Sequence, residues 1–292
     1  MANYVILDAG HAKVTAGKRS PDGKLLEWEF NNDMQYRLKK RLEQMGFVVY
    51  LVNPTPEQGS EVSLATRCTR ANNYWTKIGK SNCIFVSLHA NAAGTGGWSN
   101  ARGVETYTAS NASSNSVKLA KLINDNIYKD VVKVDSGFKN RGCKTNSFYV
   151  VKHTNMPCCL VEYEFYTNQA GVSLLTNKRE LLCEATLKGI CGYFGVAYKP
   201  TSTAAQQPVV NTPNVPSTTK PFKNGTYNVK AKVTATTLNV RAGRPGSSTY
   251  NTILGKLSKG TVVTIGYCLN GWFGIVYNGK QAFISGDYIE LV

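Results

Sequence analysis

The first two hundred residues alternate between short apolar runs and longer amphipathic segments. The apolar runs predict buried strands at NYVILDAG, FVVYLVN, CIFVSLHAN, GVETYTA and CCLVEYEFY. The segments between them carry apolar residues at helical spacing and predict helices at NNDMQYRLKKRLEQMG, SLATRCTRANNYWTKIG, NSVKLAKLINDNIYKDVV and KRELLCEATLKGICGYFG. This alternation predicts an α/β domain in which helices cover both faces of an open mixed sheet.

The pattern changes twice after this domain. Residues 199–224 are rich in Pro, Thr, Ser, Asn and Gln and contain no acid, which predicts an extended, semi-stiff linker. Residues 225–292 contain short alternating strands separated by closely spaced turns with glycine, which predicts a small all-β barrel. We therefore expect an α/β domain at 1–198, a linker at 199–224 and a barrel at 225–292.

The charge balance indicates a polyanionic partner. The 292-residue chain has a formal charge of +16, and the excess of Lys and Arg is spread over both predicted domains and the linker. Nucleic acid, an anionic membrane surface or a phosphate-rich wall polymer would each suit this balance. No interleaved basic and aromatic platform is present, which argues against nucleic acid. No apolar stretch is long enough to span a membrane, and we expect no secretory signal.

The eight cysteines do not predict a metal or nucleophile site. They are scattered through apolar segments and form no C-x-x-C pair, so we expect reduced thiols packed in the cores. This spacing also argues against zinc held by sulfur. The absence of a G-x-S-x-G motif argues against a serine hydrolase, and a Cys–His peptidase is disfavoured by the apolar context of the thiols.

Candidate chemistry lies where predicted strands end. Of three histidines, His11 and His89 each close an apolar strand, and Glu162 lies in the last predicted strand. The carboxyl ends of strands in an open α/β sheet meet at one edge, where two histidines and a carboxylate can hold a catalytic zinc. Glu27 and Glu29 are both candidates for that carboxylate, since they share one side of a segment predicted as extended. Spacing alone does not choose between them, and an ordinary loop role for either histidine stays open.

Residues 4–196 resemble the zinc-dependent N-acetylmuramoyl-L-alanine amidases that open with a DxGH motif. The matching segments, in the expected order, are LDAGH, EWEFNN, SLATRCTRAN, FVSLHANA, GVETYT, NRGCKTNSFYVVKHTNMP and CLVEYEFYTN. The family's metal-binding acid lies four residues before the Asn that opens the first helix, so the resemblance implies Zn²⁺ on His11, Glu27 and His89. It implies Glu162 as the catalytic residue. Glu164 stands where the family usually has Gly, and it receives no role.

The resemblance implies hydrolysis of the amide between N-acetylmuramic acid and L-alanine in peptidoglycan. Zinc would activate a water, and Glu162 would take its proton and pass it to the leaving nitrogen. Three further residues are candidates for substrate binding. Asn91 orients substrate or caps a turn, Arg141 meets a substrate carboxylate or lies in a solvated loop, and His153 touches substrate or has only a structural role. A wall-binding protein that has lost catalysis is the main alternative, and the complete metal set argues against it.

Residues 225–292 resemble a bacterial SH3-type domain through the segments TLNVRAG and GWFGIVYNGKQAFISGDYIEL and the L-x-K-G motif between them. The resemblance implies binding to the Gram-positive wall, with exposed aromatics expected around Trp272, Tyr277 and Tyr288. Trp272 is nevertheless assigned to the barrel core, where its apolar neighbours alternate. The two resemblances together suggest a phage or prophage endolysin, made in the cytoplasm and released through a membrane pore. A mother-cell lytic amidase is the alternative, and the oligomeric state stays open.

Overall fold

Two units make up the part of the chain that the structure describes. The computed structural model describes residues 2–56, 60–200, 222, 225–243, 252–269 and 271–292. The chain divides into the units Met1–Thr203 and Ala204–Val292. Apart from residues 199, 200 and 222, the predicted linker lies outside the described residues.

The first unit alternates strands and helices. Its strands are β1 (Tyr4–Ala9), β2 (Val48–Leu51), β3 (Cys83–Asn91), β4 (Val104–Thr108), β5 (Asn140–Thr145) and β6 (Cys158–Phe165). Its helices are α1 (Glu27–Gln44), α2 (Leu64–Lys77), α3 (Ser114–Val131), α4 (Tyr149–His153), α5 (Gln169–Asn177) and α6 (Arg179–Phe194). The sequence did not predict β5, α4 or α5, because β5 is polar and the two helices are too short for a clear apolar stripe.

The strands form one mixed sheet in the order β2-β1-β3-β6-β4-β5. Neighbouring strands are parallel except β4 and β6, which pair antiparallel. Side chains alternate between its two faces, so that Val5 and Leu7 pack with α1, α3 and α6 while Ile6 packs with α2 and α4. The prediction of an open mixed sheet with helices on both faces is confirmed. The carboxyl ends of β1, β3 and β6 consequently lie at one edge.

Helix α1 begins earlier than the sequence pattern indicates. It starts at Glu27 rather than at Asn31, so the prediction of an extended segment there is wrong. Two acids in the first turn favour this start, because they face the positive end of the helix dipole. Residues two apart on a helix do not share a face, and Glu29 is exposed while Glu27 is buried. The helix ends at Gln44, just before the predicted stop Gly46, whose φ of 85° allows the chain to turn.

Within its described residues, the second unit is an antiparallel sheet of seven strands. They are β7 (Gly225–Val233), β8 (Thr237–Arg241), β9 (Ile253–Ser258), β10 (Val262–Leu269), β11 (Trp272–Tyr277), β12 (Lys280–Ser285) and β13 (Ile289–Leu291), in the order β13-β7-β10-β11-β12-β8-β9. Asn278 and Gly279 both have positive φ and form the tight turn between β11 and β12. This all-β unit agrees with the predicted SH3-like barrel.

The core of the second unit corrects one sequence assignment. Trp272 is only partly buried, and its neighbour Phe273 takes the central position with no exposed surface. Successive side chains of a strand point to opposite faces, so only one of these two aromatics can face the core. Tyr277 packs partly against the core, whereas Tyr288 is half exposed.

Two further expectations concern the whole chain. All eight cysteines are free thiols; seven are buried as expected, whereas Cys143 on the polar strand β5 is exposed. Among the residues that the structure describes, no helix has both the length and the apolar character needed to cross a bilayer.

The contact between α3 and α6 provides a test of packing in the first unit. A Cβ on Gly189 would lie 2.6 Å from the Cα of Ile123, whereas one on Gly192 would meet only the Leu122 side chain at 3.8 Å. We expect Gly189→Ala to lower the free energy of unfolding by about 2 kcal/mol through overpacking. Gly192→Ala, its control on the same helix, should be neutral or raise stability by up to about 1 kcal/mol. Urea unfolding followed by circular dichroism measures both, and equal losses would contradict this packing.

Candidate metal centre

The turn after β1 places His11 at the carboxyl edge of the sheet. His11 has a φ of 62°, a left-handed conformation that is uncommon for residues other than glycine. Two buried amides hold the carbonyl groups of this turn. Asn53 Nδ2 donates to Ala9 O at 2.8 Å and to His11 O at 3.1 Å, and Asn31 Nδ2 donates to Gly10 O at 3.0 Å. The surrounding hydrogen bonds therefore fix a backbone shape that His11 would not adopt by itself.

The aspartate of the DAGH segment, Asp8, fixes the turn through hydrogen bonds with neighbouring elements. Asp8 is buried and pairs with Arg67, whose Nη1 lies 3.0 Å from Asp8 Oδ1. Ser87 Oγ donates to the other carboxylate oxygen at 2.7 Å, and Arg67 Nη1 also donates to Ala9 O at 2.8 Å. Both carboxylate oxygens of Asp8 are engaged in this network, so Asp8 anchors the turn and is not part of the candidate ligand set.

Gly10 allows the imidazole of His89 to lie against the turn. A Cβ built on Gly10 would lie 2.0 Å from His89 Cε1 and within 2.5 Å of both ring nitrogens. Any other residue would displace the ring, because carbon atoms do not approach so closely without a shift of structure. The glycine of the DAGH segment is thus required by contact between two parts of the site.

His11, Glu27 and His89 converge at this edge. Each offers one ligand atom, and the three atoms lie within 4.8 Å of one another. Glu27 Oε2 is 3.4 Å from His11 Nε2, and Glu27 Oε1 is 3.0 Å from His89 Nδ1. The first turn of α1 carries Glu27, whose backbone N–H donates to Lys18 O at 2.9 Å. Helix geometry therefore selects Glu27 over the exposed Glu29.

The two imidazoles stabilise the ionised form of Glu27. Burial by itself raises the pKa of Glu27, but hydrogen bonds and charge from His11 and His89 outweigh burial and lower it to about 2. Two imidazole nitrogens and one carboxylate oxygen form a donor set that zinc binds in catalytic sites, with room for a ligand that is not protein. The residues present therefore fit a metal ion of this kind.

Glu162 lies beside this cluster with an unpaired oxygen. It is directly opposite His89 in the β3–β6 register. Its Oε2 is buried and has no hydrogen-bond partner among the described residues. Burial raises the pKa of Glu162, the nearby carboxylates of Glu27 and Glu105 raise it further, and Lys18 opposes them. A carboxylate in such a setting is suited to proton transfer.

Glu105 is a site residue that the sequence analysis did not identify. It lies on β4 directly opposite Glu162, and only 3% of it is exposed. Arg141 Nε donates to Glu105 Oε2 at 2.9 Å, Lys144 bonds to the same oxygen, and Tyr107 OH donates to Oε1 at 3.0 Å. Burial opposes ionisation, but these partners lower the pKa of Glu105. The one signal in the sequence is an acid at the centre of the otherwise uncharged strand GVETYT.

The three predicted substrate-binding residues are not all in one place. Asn91 donates through Nδ2 to Glu105 and accepts from Ala92 N at 2.8 Å, so it lies at the site and also shapes the backbone beside it. Arg141 lies on strand β5 against Glu105, which rules out the alternative of a solvated loop. The structure therefore brings Asn91 and Arg141 together at one carboxylate.

His153 is not brought to the metal centre. It is exposed on α4, stacks on Tyr149 with ring centroids 3.9 Å apart, and its carbonyl accepts from Asn72 Nδ2 at 2.9 Å. Helix α4 precedes the amino end of β6, whereas the metal centre lies at the carboxyl ends of β1 and β3. These contacts are those of a helix-terminal structural residue.

Glu164 has a structural position. It is fully buried, and its Oε1 accepts from Gly103 N at 2.6 Å and Phe165 N at 2.8 Å. Arg102 Nη2 donates to Oε2 at 3.0 Å and also binds Asp135. Burial raises the pKa of Glu164, while these donors oppose the rise. Glu164 thus anchors the segment that enters β4 and supplies no second carboxylate to the metal centre.

Sequence comparisons agree with both resemblances. Residues 5–192 match the family model of N-acetylmuramoyl-L-alanine amidase, and residues 236–290 match that of the bacterial SH3 domain. The N-acetylmuramoyl-L-alanine amidase LytC of Bacillus subtilis (strain 168) is 29% identical over 193 residues, which are 65% of this chain and 35% of LytC. The endolysin of Bacillus phage SPP1 is 31% identical over 179 residues, 60% of this chain and 59% of the endolysin. The match thus spans less than two thirds of either relative.

Two solved structures with a similar fold are amidases. The N-acetylmuramoyl-L-alanine amidase from Clostridium difficile 630 aligns with a TM-score of 0.58 and 26% identity, over 66% of this chain and 97% of that one. The catalytic domain of CwlV from Bacillus (Paenibacillus) polymyxa var. colistinus aligns with a TM-score of 0.54 and 27% identity, over 67% and 99%. The chain therefore belongs to the N-acetylmuramoyl-L-alanine amidase family, and a bacterial SH3 domain follows its amidase domain.

Proposed function

We propose that this protein is a zinc-dependent amidase that hydrolyses the bond between N-acetylmuramic acid and L-alanine in peptidoglycan. The observation that carries the proposal is the convergence of His11, Glu27 and His89 beside the unpaired carboxylate oxygen of Glu162. Family membership supports the reaction, and the donor set supports zinc.

Different residues of the chain would bind the metal and transfer the proton during hydrolysis. When bound to His11, Glu27 and His89, zinc supplies a Lewis acid that polarises the scissile carbonyl and makes water ionise near neutral pH. Glu162 would accept the proton of the attacking water and then deliver it to the amide nitrogen as the bond breaks. A carboxylate whose pKa is raised by burial and by Glu27 and Glu105 can perform both transfers, because it holds a proton more firmly than an exposed glutamate does.

The biological setting is proposed from the second unit and one relative. A bacterial SH3 domain would retain the enzyme on Gram-positive peptidoglycan, and the basic character of the chain suits a wall with anionic polymers. The similarity to the endolysin of a Bacillus phage supports a phage or prophage lysin. Such an enzyme would be made in the cytoplasm and reach the wall after release through a membrane pore.

The bond cleaved and the metal requirement can be tested together. Purified protein added to Bacillus walls should release new N-terminal L-alanine and no new reducing sugar ends, because an amide and not a glycosidic bond is cut. Removal of zinc with a chelator should abolish release, and added zinc should restore it. Amino-terminal and reducing-end assays on the same digest measure this result. New reducing ends without L-alanine would identify a glycosidase instead.

Glu27 and Glu29 form a matched pair for testing metal binding. Glu27→Gln should lose bound zinc, because it removes a charged ligand from between two imidazoles. Glu29→Gln changes an exposed acid two residues away and should keep one zinc per chain and full activity. Elemental analysis of both proteins provides the measurement. Zinc retained by the first variant, or lost from both, would contradict the assignment.

Glu162 should be needed for turnover and not for the metal. Glu162→Gln keeps the size of the side chain but cannot accept a proton, so we expect kcat to fall by about 10²- to 10⁴-fold. Zinc content should stay at the level of the unaltered protein, because the ligands are on other elements. Kinetics on solubilised wall fragments and elemental analysis measure the two effects. A variant that loses its zinc would place Glu162 among the ligands and overturn the proposed role.

A further inference from the structure

A row of polar side chains crosses the sheet from the metal centre to the edge strand. His89 on β3 is directly opposite Glu162 on β6, and Glu162 is directly opposite Glu105 on β4. Arg141 on β5 continues the row, since its Nε donates to Glu105 at 2.9 Å. Directly opposed residues place their side chains on the same face of a sheet. Two strand spacings separate β6 from β5, a distance of about 10 Å.

The far end of this row carries an uncompensated positive charge. Arg141 and Lys144 both bind the same oxygen of Glu105, so two cations share one buried carboxylate. About a third of each cationic side chain is exposed, 35% for Arg141 and 37% for Lys144. The Arg141 guanidinium also lies over the Phe165 ring, 4.8 Å from its centroid. These contacts hold the cations in place and leave their outer faces open to a ligand.

A carboxylate lies on the opposite side of the metal centre, next to His11. The Glu61 side chain is 36% exposed, and its Oε1 lies 3.9 Å from His11 Nδ1. Its cationic neighbour Arg67 is buried beneath it. A substrate with acidic groups on one side of the scissile bond would therefore extend toward β5 and away from Glu61, because like charges repel.

We infer that Arg141 and Lys144 form a subsite for a carboxylate of the stem peptide, two to three residues from the scissile amide. This inference rests on the proposed amidase function and assigns the direction in which the substrate lies across the sheet. Two to three extended residues span about 7 to 10 Å, which matches the distance from Glu162 to β5. The second residue of a muramoyl stem peptide is a γ-linked glutamate, whose α-carboxyl group is either free or amidated. The subsite would favour the free acid, because only that form offers a charge to the guanidinium.

Free stem peptides are a probe that binds without turnover. We would titrate the zinc-loaded, full-length protein with L-Ala-γ-D-Glu-L-Lys blocked as a C-terminal amide, and with the same blocked peptide amidated also at the glutamate α-carboxyl group. Calorimetry should show that the acid binds about tenfold more tightly than the amide, as expected for a charge-assisted contact at a partly exposed site. The double variant Arg141→Gln/Lys144→Gln should bind both peptides with the affinity of the amide. Arg141→Lys should keep most of the preference because it keeps the charge.

A matched control separates the subsite from general electrostatics. Lys121 is an exposed lysine on α3 that is paired with Asp125 and is not among the cations bound to Glu105, so Lys121→Gln removes one surface charge without altering the subsite. It should leave the preference unchanged. Equal affinity of the unaltered protein for the two peptides would overturn the subsite, as would equal loss of both peptides in the double variant. Wall digestion is scored separately: a preference without release of L-alanine supports the subsite and overturns the amidase function, and release without a preference does the reverse.

Discussion

The pairing of one buried carboxylate with two imidazoles determines how the rest of the metal centre is built. Glu27 is taken out of water at the start of α1, and a charge in that position needs partners of fixed geometry. His11 and His89 supply them from two neighbouring parallel strands and their ends. The low pKa of Glu27 follows from this arrangement, and the same two nitrogens and carboxylate oxygen are the atoms that would hold a metal cation.

Several residues that take no part in the reaction serve to hold those two imidazoles in place. Gly10 is needed because the His89 ring lies against its Cα. Asn31 and Asn53 hold the carbonyls of the strained turn, and the Asp8–Arg67 pair fixes that turn to β3 and α2. These residues act by restricting the ligands to one geometry, which is what a reactive metal site requires. The DAGH segment is accordingly a structural unit in which only the histidine belongs to the candidate metal-binding cluster.

The strand order of the sheet places different charged groups on the two sides of Glu162. Because β6 lies between β3 and β4, the carboxylate proposed for catalysis has the metal ligands on one side and a second carboxylate on the other. Glu105 raises the pKa of Glu162, yet Arg141 and Lys144 keep Glu105 itself ionised. The edge strand β5 thus influences Glu162 through the charges of Arg141, Lys144 and Glu105, and not through a contact with His11, Glu27 or His89 in the described part of the chain.

The sequence by itself determined the order of most strands and helices, the two domain types and the candidate metal ligands, since apolar periodicity and the family segments are local properties of the chain. Spacing by itself did not choose between Glu27 and Glu29, which the family segments separated, and the strand pattern placed Trp272 where Phe273 lies, because each choice depends on where a helix begins or which strand face is inward. The sequence also did not identify Glu105 or separate Arg141 from His153. Those distinctions arise from strand order and register, and pairing between distant segments sets both. Tertiary structure alone therefore decided which polar residues became neighbours of Glu162.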